Sequence, residues 1–173
     1  VTPADSTEPV DGLTFTNTYA PTDPGSIVFG ASKVLNGDRE LVEGEFTFEL
    51  KNADGEVLQT ATNNADGSVV FSDPVEFDKA GEYTFTVSER LPEDDDPSAE
   101  GIQKDGVTYD ETVYTATVNV ADVDENGVYD GVLTASVSYG NDGKLPSFTN
   151  TYVKPAEPAP EEPTDAMPKT GDT

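Results

Sequence analysis

The sequence has no cysteine, no histidine and no tryptophan, and each gap removes a class of chemistry. Without cysteine there is no disulfide, no thiol nucleophile and no Cys-based metal site. Without histidine the commonest general base and the commonest metal ligand are missing. Without tryptophan the usual platform for a sugar ring is gone, and no strand presents two acids on an apolar-lined face for glycoside hydrolysis. Positive charge is also scarce, with 9 lysines and arginines against 35 acids and a formal net charge of −26. Nucleic acid is a poor partner for such a surface, because its phosphates are repelled. Anionic lipid is disfavoured on the same ground, and the excess charge favours solubility. No long apolar run is present, so no membrane insertion is expected. The chain begins at Val1 with no signal peptide, which reads as a fragment of something longer.

What is there is a set of short β patterns. Between residues 26 and 152, strand signals fall at 26–35, 45–51, 56–62, 68–72, 75–77, 82–90, 106–109, 112–122, 128–139 and 146–152. Between them lie Asn-Gly at 36–37 and 126–127, and Asp-Gly at 54–55, 66–67, 105–106 and 142–143, dipeptides that favour positive φ and hairpins. Helical periodicity is not convincing anywhere. Many short strands with frequent turns predict an all-β, antiparallel β-sandwich. Residues 91–105, LPEDDDPSAEGIQKD, read as a longer acidic loop. From Lys154 onward, prolines at 155, 158, 160 and 163 favour an extended linker over strand pairing.

Three polar residues interrupt the apolar faces of these strands. In SIVFGASKVL (26–35), Lys33 shares its face with Ile27, Phe29, Ala31 and Leu35. In YTFTVSE (83–89), Glu89 follows Tyr83, Phe85 and Val87; in PSFTNTY (146–152), Asn150 lies between Phe148 and Tyr152. Side chains alternate with a period of two, so these placements follow from counting. A lysine at a strand end usually snorkels to water, and a terminal glutamate or asparagine is usually solvated. Three of them on inward faces, in the first, a middle and the last strand, form a different pattern. They are the reactants and proton shuttle for an amide bond between lysine and asparagine. Burial lowers the lysine pKa and raises the glutamate pKa, which supplies a neutral amine nucleophile and a carboxylic acid. On this reading Glu89 hydrogen-bonds the Asn150 carbonyl and relays a proton to departing ammonia. The bond closes a loop of about a hundred residues, worth roughly 4–5 kcal/mol in chain-entropy models.

The run ASKVLNGDRELVEGEFTFEL (31–50), then GEYTFTVSE (81–89), then PSFTNTY resembles the streptococcal pilin isopeptide-linkage domain of Gram-positive backbone pilins and surface stalk proteins. The resemblance covers about residues 26–154. It implies an immunoglobulin-like β-sandwich with an intramolecular isopeptide crosslink, in which Lys33 is the amine donor, Glu89 the catalytic acid and Asn150 the acceptor. The C-terminal MPKTG (167–171) resembles the LPXTG sortase signal, with methionine in place of leucine; cleavage would fall between Thr170 and Gly171. The implied partners are sortase, cell-wall peptidoglycan or a pilin subunit, and adjacent domains of the same chain. Lys154 in TYVKP is weighed as an intermolecular linkage point and read instead as an exposed linker lysine.

The expected organisation is a tail of a preceding domain with linker (1–25), the sandwich (26–154) and a Pro/Glu-rich linker with the sortase motif (155–173). The string Phe-Thr-Asn-Thr-Tyr occurs at 15–19 and again at 148–152, which makes Asn17 the counterpart of Asn150 from a truncated upstream domain. DVDENGVYD (122–130) matches the opening of a calcium loop, but Leu133 stands where the closing glutamate belongs, and a hairpin turn explains it better. No cofactor is expected. The expected function is a structural stalk module of an extracellular, cell-wall-anchored Gram-positive surface protein, not an enzyme with turnover. The alternative is an adhesin that binds a host ligand through loops such as 91–105.

Overall fold

A computed structural model describes Pro21, residues 23–97 and residues 99–157. Among the described residues all regular structure is strand: β1 (Gly25–Gly37), β2 (Thr47–Lys51), β3 (Val57–Thr62), β4 (Ser68–Phe77), β5 (Gly81–Glu89), β6 (Gln103–Lys104), β7 (Val107–Thr108), β8 (Val113–Val123), β9 (Tyr129–Tyr139) and β10 (Ser147–Tyr152). They form two five-stranded sheets, ordered β4-β1-β10-β7-β6 and β3-β2-β5-β8-β9. This is the all-β sandwich that the strand pattern predicts, with the immunoglobulin-like form that the resemblance implies.

Alternating burial along the strands explains why the sheets face one another. In β1, Phe29, Ala31 and Lys33 are buried; in β5, Phe85, Val87 and Glu89; in β10, Phe148 and Asn150. The intervening residues point outward or lie at intermediate depth. Phe29, Phe48, Phe71 and Phe148 are fully enclosed, and burying each contributes about 1.5–3 kcal/mol. Their rings meet at tilted angles, as Phe29 and Phe85 do at 5.0 Å and Phe48 and Phe148 at 5.3 Å.

Three details differ from the sequence reading. The pieces expected at 68–72 and 75–77 are one strand, β4, whose pairing with β1 shifts register between Ile27 and Phe29. Pro74 lies in the skipped segment, where a residue without an N–H interrupts the ladder but not the direction of the chain. The acidic stretch 91–105 is not loop throughout, because β6 pairs with β7 across a turn at Asp105 and Gly106. Both turn residues have positive φ, 52° and 84°, as a two-residue hairpin turn requires. Third, β1 and β10 pair in parallel, with Lys33 opposite Phe148 and Leu35 opposite Asn150; the other strand pairs are antiparallel. A parallel first and last strand places the entry to β1 and the exit from β10 at opposite poles.

The hairpin reading of 122–130 holds. Asp124 accepts hydrogen bonds from the Asn126 and Val128 N–H groups at 2.8 and 2.9 Å, and Gly127 has φ 79°. Among the described residues, no group of acids is arranged to hold a metal ion.

The turn before β4 packs directly on the backbone of Lys33. The Lys33 N–H donates to the Gly67 carbonyl at 2.6 Å, and a Cβ at Gly67 would collide with the Lys33 carbonyl oxygen. Gly67→Ala is therefore expected to destabilise more than Gly127→Ala. Both positions have positive φ (87° and 79°), so the backbone cost of about 1–2 kcal/mol is common to both, but nothing lies within 4 Å of a Cβ at Gly127. Urea melts of the two variants in the same background would check this; equal midpoints would count against a tight contact at Lys33.

Candidate functional site

The register of β1 and β10 brings Lys33 and Asn150 onto one inward face, diagonal neighbours two residues apart in pairing. Glu89 reaches them from the facing sheet, where it ends β5 opposite Phe48 of β2. Lys33 Nζ lies 2.8 Å from Glu89 Oε2, with both side chains shielded from solvent. Asn150 Nδ2 donates to Glu89 Oε1 at 2.7 Å. The carboxyl thus presents one oxygen to the amine and the other to the amide nitrogen. All three residues that counting placed inward do converge.

One part of the sequence reading needs correcting. Glu89 does not touch the Asn150 carbonyl. That oxygen accepts the backbone N–H of Asp110 at 2.8 Å. A backbone N–H can only donate, so the carbonyl oxygen must face it, which turns the NH2 group toward Glu89. Asp110 itself was not foreseen. It lies between β7 and β8, and its carboxylate accepts the N–H of Thr149 at 2.8 Å and of Thr112 at 3.0 Å. The one signal it carries in sequence is an Asp two residues before a Thr, a common turn pattern that says nothing about a partner 40 positions away.

Aromatic rings seal the cluster. Lys33 Nζ sits 4.4 Å from the centroid of Phe46 and 5.9 Å from that of Phe48. Tyr109 meets Phe46 edge-on at 5.7 Å, and Tyr114 meets Phe148 edge-on at 5.1 Å while its hydroxyl donates to the Ser147 carbonyl. Further out, Arg39 stacks over Tyr152 at 4.6 Å and pairs with Glu45. Among the described residues, no buried side-chain nitrogen or oxygen lacks a partner.

Burial sets the protonation of the pair. It pushes the Lys33 amine down from its ordinary value, against the opposing pull of Glu89. It pushes the Glu89 carboxyl up, against the opposing pull of Lys33. Both shifts favour a neutral amine beside a carboxylic acid over the ion pair, as expected where charge is poorly solvated. Asp110 differs: burial pushes its carboxyl up, but the hydrogen bonds from Thr112 and Thr149 together outweigh that and leave it below the usual range.

The family model described as FctA, Spy0128-like isopeptide containing domain, matches residues 29–153. The chain belongs to that family. The FctA match runs from β1 to just past β10, so it includes Lys33, Glu89 and Asn150. Among solved structures the chain is similar to the major pilin of Streptococcus pyogenes, with 19% identity, a TM-score of 0.41, and coverage of 75% of this chain and 51% of that one. A second major pilin protein of S. pyogenes matches at 17% identity and a TM-score of 0.39, over 74% of this chain and 54% of that one. The chain thus spans about half the length of these pilins. Among curated proteins none matches.

Thr170, Gly171 and Asn17 lie outside the described residues. Lys154 is exposed and pairs loosely with Glu157 at 3.7 Å.

The site predicts a contrast between two lysines. Lys33→Ala takes the donor away from Glu89 Oε2, and leaving a buried acceptor unpaired costs about 1–3 kcal/mol. Lys51 pairs with Glu49 at the partly exposed surface, where such pairs contribute about 0–1 kcal/mol. Calorimetry should therefore show Lys33→Ala melting below Lys51→Ala. Similar melting temperatures would remove the stabilising role of the cluster.

Proposed function

We propose that this chain is a stalk module of a Gram-positive surface protein, locked by an autocatalytic isopeptide bond between Lys33 and Asn150, with Glu89 as the proton carrier. The observation that carries the proposal is the single carboxyl bridging an enclosed amine at 2.8 Å and an enclosed carboxamide nitrogen at 2.7 Å. Lys33 first gives a proton to Glu89 Oε2 and becomes a nucleophile. Its Nζ attacks the Asn150 Cγ, and the C–N bond forms as the carbonyl π pair moves onto oxygen. The carboxyl group of Glu89 then rotates to bring that proton to Nδ2, and its other oxygen takes one from the attacking nitrogen. The Cγ–Nδ2 bond breaks, ammonia leaves, and the carboxyl is left protonated. Fixed neighbours of this kind react at very high effective concentration. Each molecule reacts once, so Glu89 acts catalytically in a protein that is not an enzyme with turnover.

The mechanical value lies in the parallel pairing. Tension pulling at the two poles shears β1 against β10. A bond from Lys33 to Asn150 carries that load from one strand to the other, so the rest of the sandwich lies outside the covalent force path. In this reading residues 26–154 are the isopeptide domain, residues 1–25 the end of an upstream unit, and residues 155–173 a spacer leading to MPKTG. A sortase would cut between Thr170 and Gly171 and pass the threonine to peptidoglycan or a pilin subunit, which anchors the module outside the cell. Membership of the isopeptide-containing domain family supports a stalk role.

Intact mass spectrometry tests the chemistry. The native protein should be one ammonia lighter than its sequence, and Glu89→Ala should keep the full mass. A full-mass native protein, or an equally lightened variant, would sink the mechanism. The rate of ammonia loss on refolding should also fall at both ends of the pH range. At low pH a second proton keeps Lys33 as ammonium, and at high pH Glu89 has no proton to give, which predicts a bell. A rate that climbs steadily with pH would argue that Glu89 is no proton donor.

A further inference from the structure

The Asn150 carbonyl oxygen is held by one donor, the Asp110 N–H at 2.8 Å. Negative charge develops on that oxygen when an amine adds to an amide, and a donor already aimed there is worth much in a site without water. What aims it is the side chain of the same residue. Asp110 Oδ2 grips the N–H of Thr149, the neighbour of Asn150 on β10, and Oδ1 grips the N–H of Thr112 at the approach to β8. One residue therefore clasps β10 twice, through its backbone to Asn150 and through its carboxylate to Thr149. It lies in a connection between β7 and β8, outside the strands, where these contacts tie it to β10.

Resting on the isopeptide reading above, we infer that Asp110 is a positioning residue for bond formation: its carboxylate clamps β10 so that its own N–H serves as the oxyanion donor to Asn150. The carboxylate's charge is not what helps. It favours the ammonium form of Lys33 and repels a developing oxyanion, while its two N–H partners partly offset it. The benefit comes from geometry, which the right pair of variants can isolate. Asp110→Asn and Asp110→Ala both lose the charge, but only Asp110→Asn keeps an oxygen for Thr149.

The full chain, purified in guanidinium at full sequence mass, is diluted into buffer. Folding is followed by far-UV circular dichroism and ammonia loss by quenched intact mass, so the interval between folding and bond closure is read separately from folding itself. Asp110→Ala is expected to fold and then close the bond about 10- to 100-fold more slowly than the wild type. Asp110→Asn should stay within about threefold of the wild type, a rescue that a purely structural role in folding would not show in this interval. Should Asp110→Ala fail to fold, Asp110→Leu, which branches at Cγ as Asn does but has no acceptor, takes its place. Closure by the Ala or Leu variant as fast as by Asp110→Asn would overturn the inference. So would failure of both to fold while Asp110→Asn folds, which would make Asp110 a folding residue. A wild type that loses no ammonia would instead overturn the isopeptide reading itself.

Discussion

Everything else in this domain is arranged around a carboxyl group with no water to turn to. Glu89 is 5% exposed, and Lys33 and Asn150 are 3% and 0% exposed. Any one of them, enclosed alone, would cost several kcal/mol. Together each satisfies another, because the two oxygens of Glu89 face two donors on two neighbouring strands. Phe46, Phe48 and Phe148 surround the group and Tyr109 and Tyr114 brace those rings. The aromatic shell keeps the local dielectric low. That same condition makes the polar contacts strong and pulls the amine and the acid toward neutrality.

This requirement also accounts for the parallel pairing of β1 with β10, the one parallel strand pair among the described residues. Lysine and asparagine must approach from the same sheet while the carboxyl comes from the other. Pairing β10 in parallel beside β1 does this with a two-residue offset. Parallel neighbours need a long connection, and here the connection is nearly the whole domain. The cost in chain entropy of bringing such distant segments together is high before any bond forms. The proposed covalent link, made afterwards, would remove the reverse route.

The inward face of each site strand was legible because it follows from a period of two, which needs no knowledge of partners. Hence Lys33, Glu89 and Asn150 could be placed by counting within their own segments. Partner identity was not legible in the same way. Nothing in β1 or β10 alone says that they run in parallel, and nothing in YDET says that Asp110 reaches Asn150. The orientation of the Asn150 amide depended on that contact, so the sequence reading gave Glu89 the wrong end of the carboxamide. Pro74 and the acidic run before β6 misled for a local reason: a residue unfit for a ladder marks a gap in pairing without ending the strand.

The two-residue offset between Lys33 and Asn150 has one more consequence. A slip of β10 by a single position would turn Asn150 to the outer surface and Thr149 inward. No amide would then stand before the amine. The proposed chemistry would thus discriminate between alignments, and a molecule that settled wrongly would stay unsealed and free to unravel. Under the proposed mechanism, the finished bond would be in effect a written certificate of correct assembly, carried for the life of the protein by the copies that folded properly.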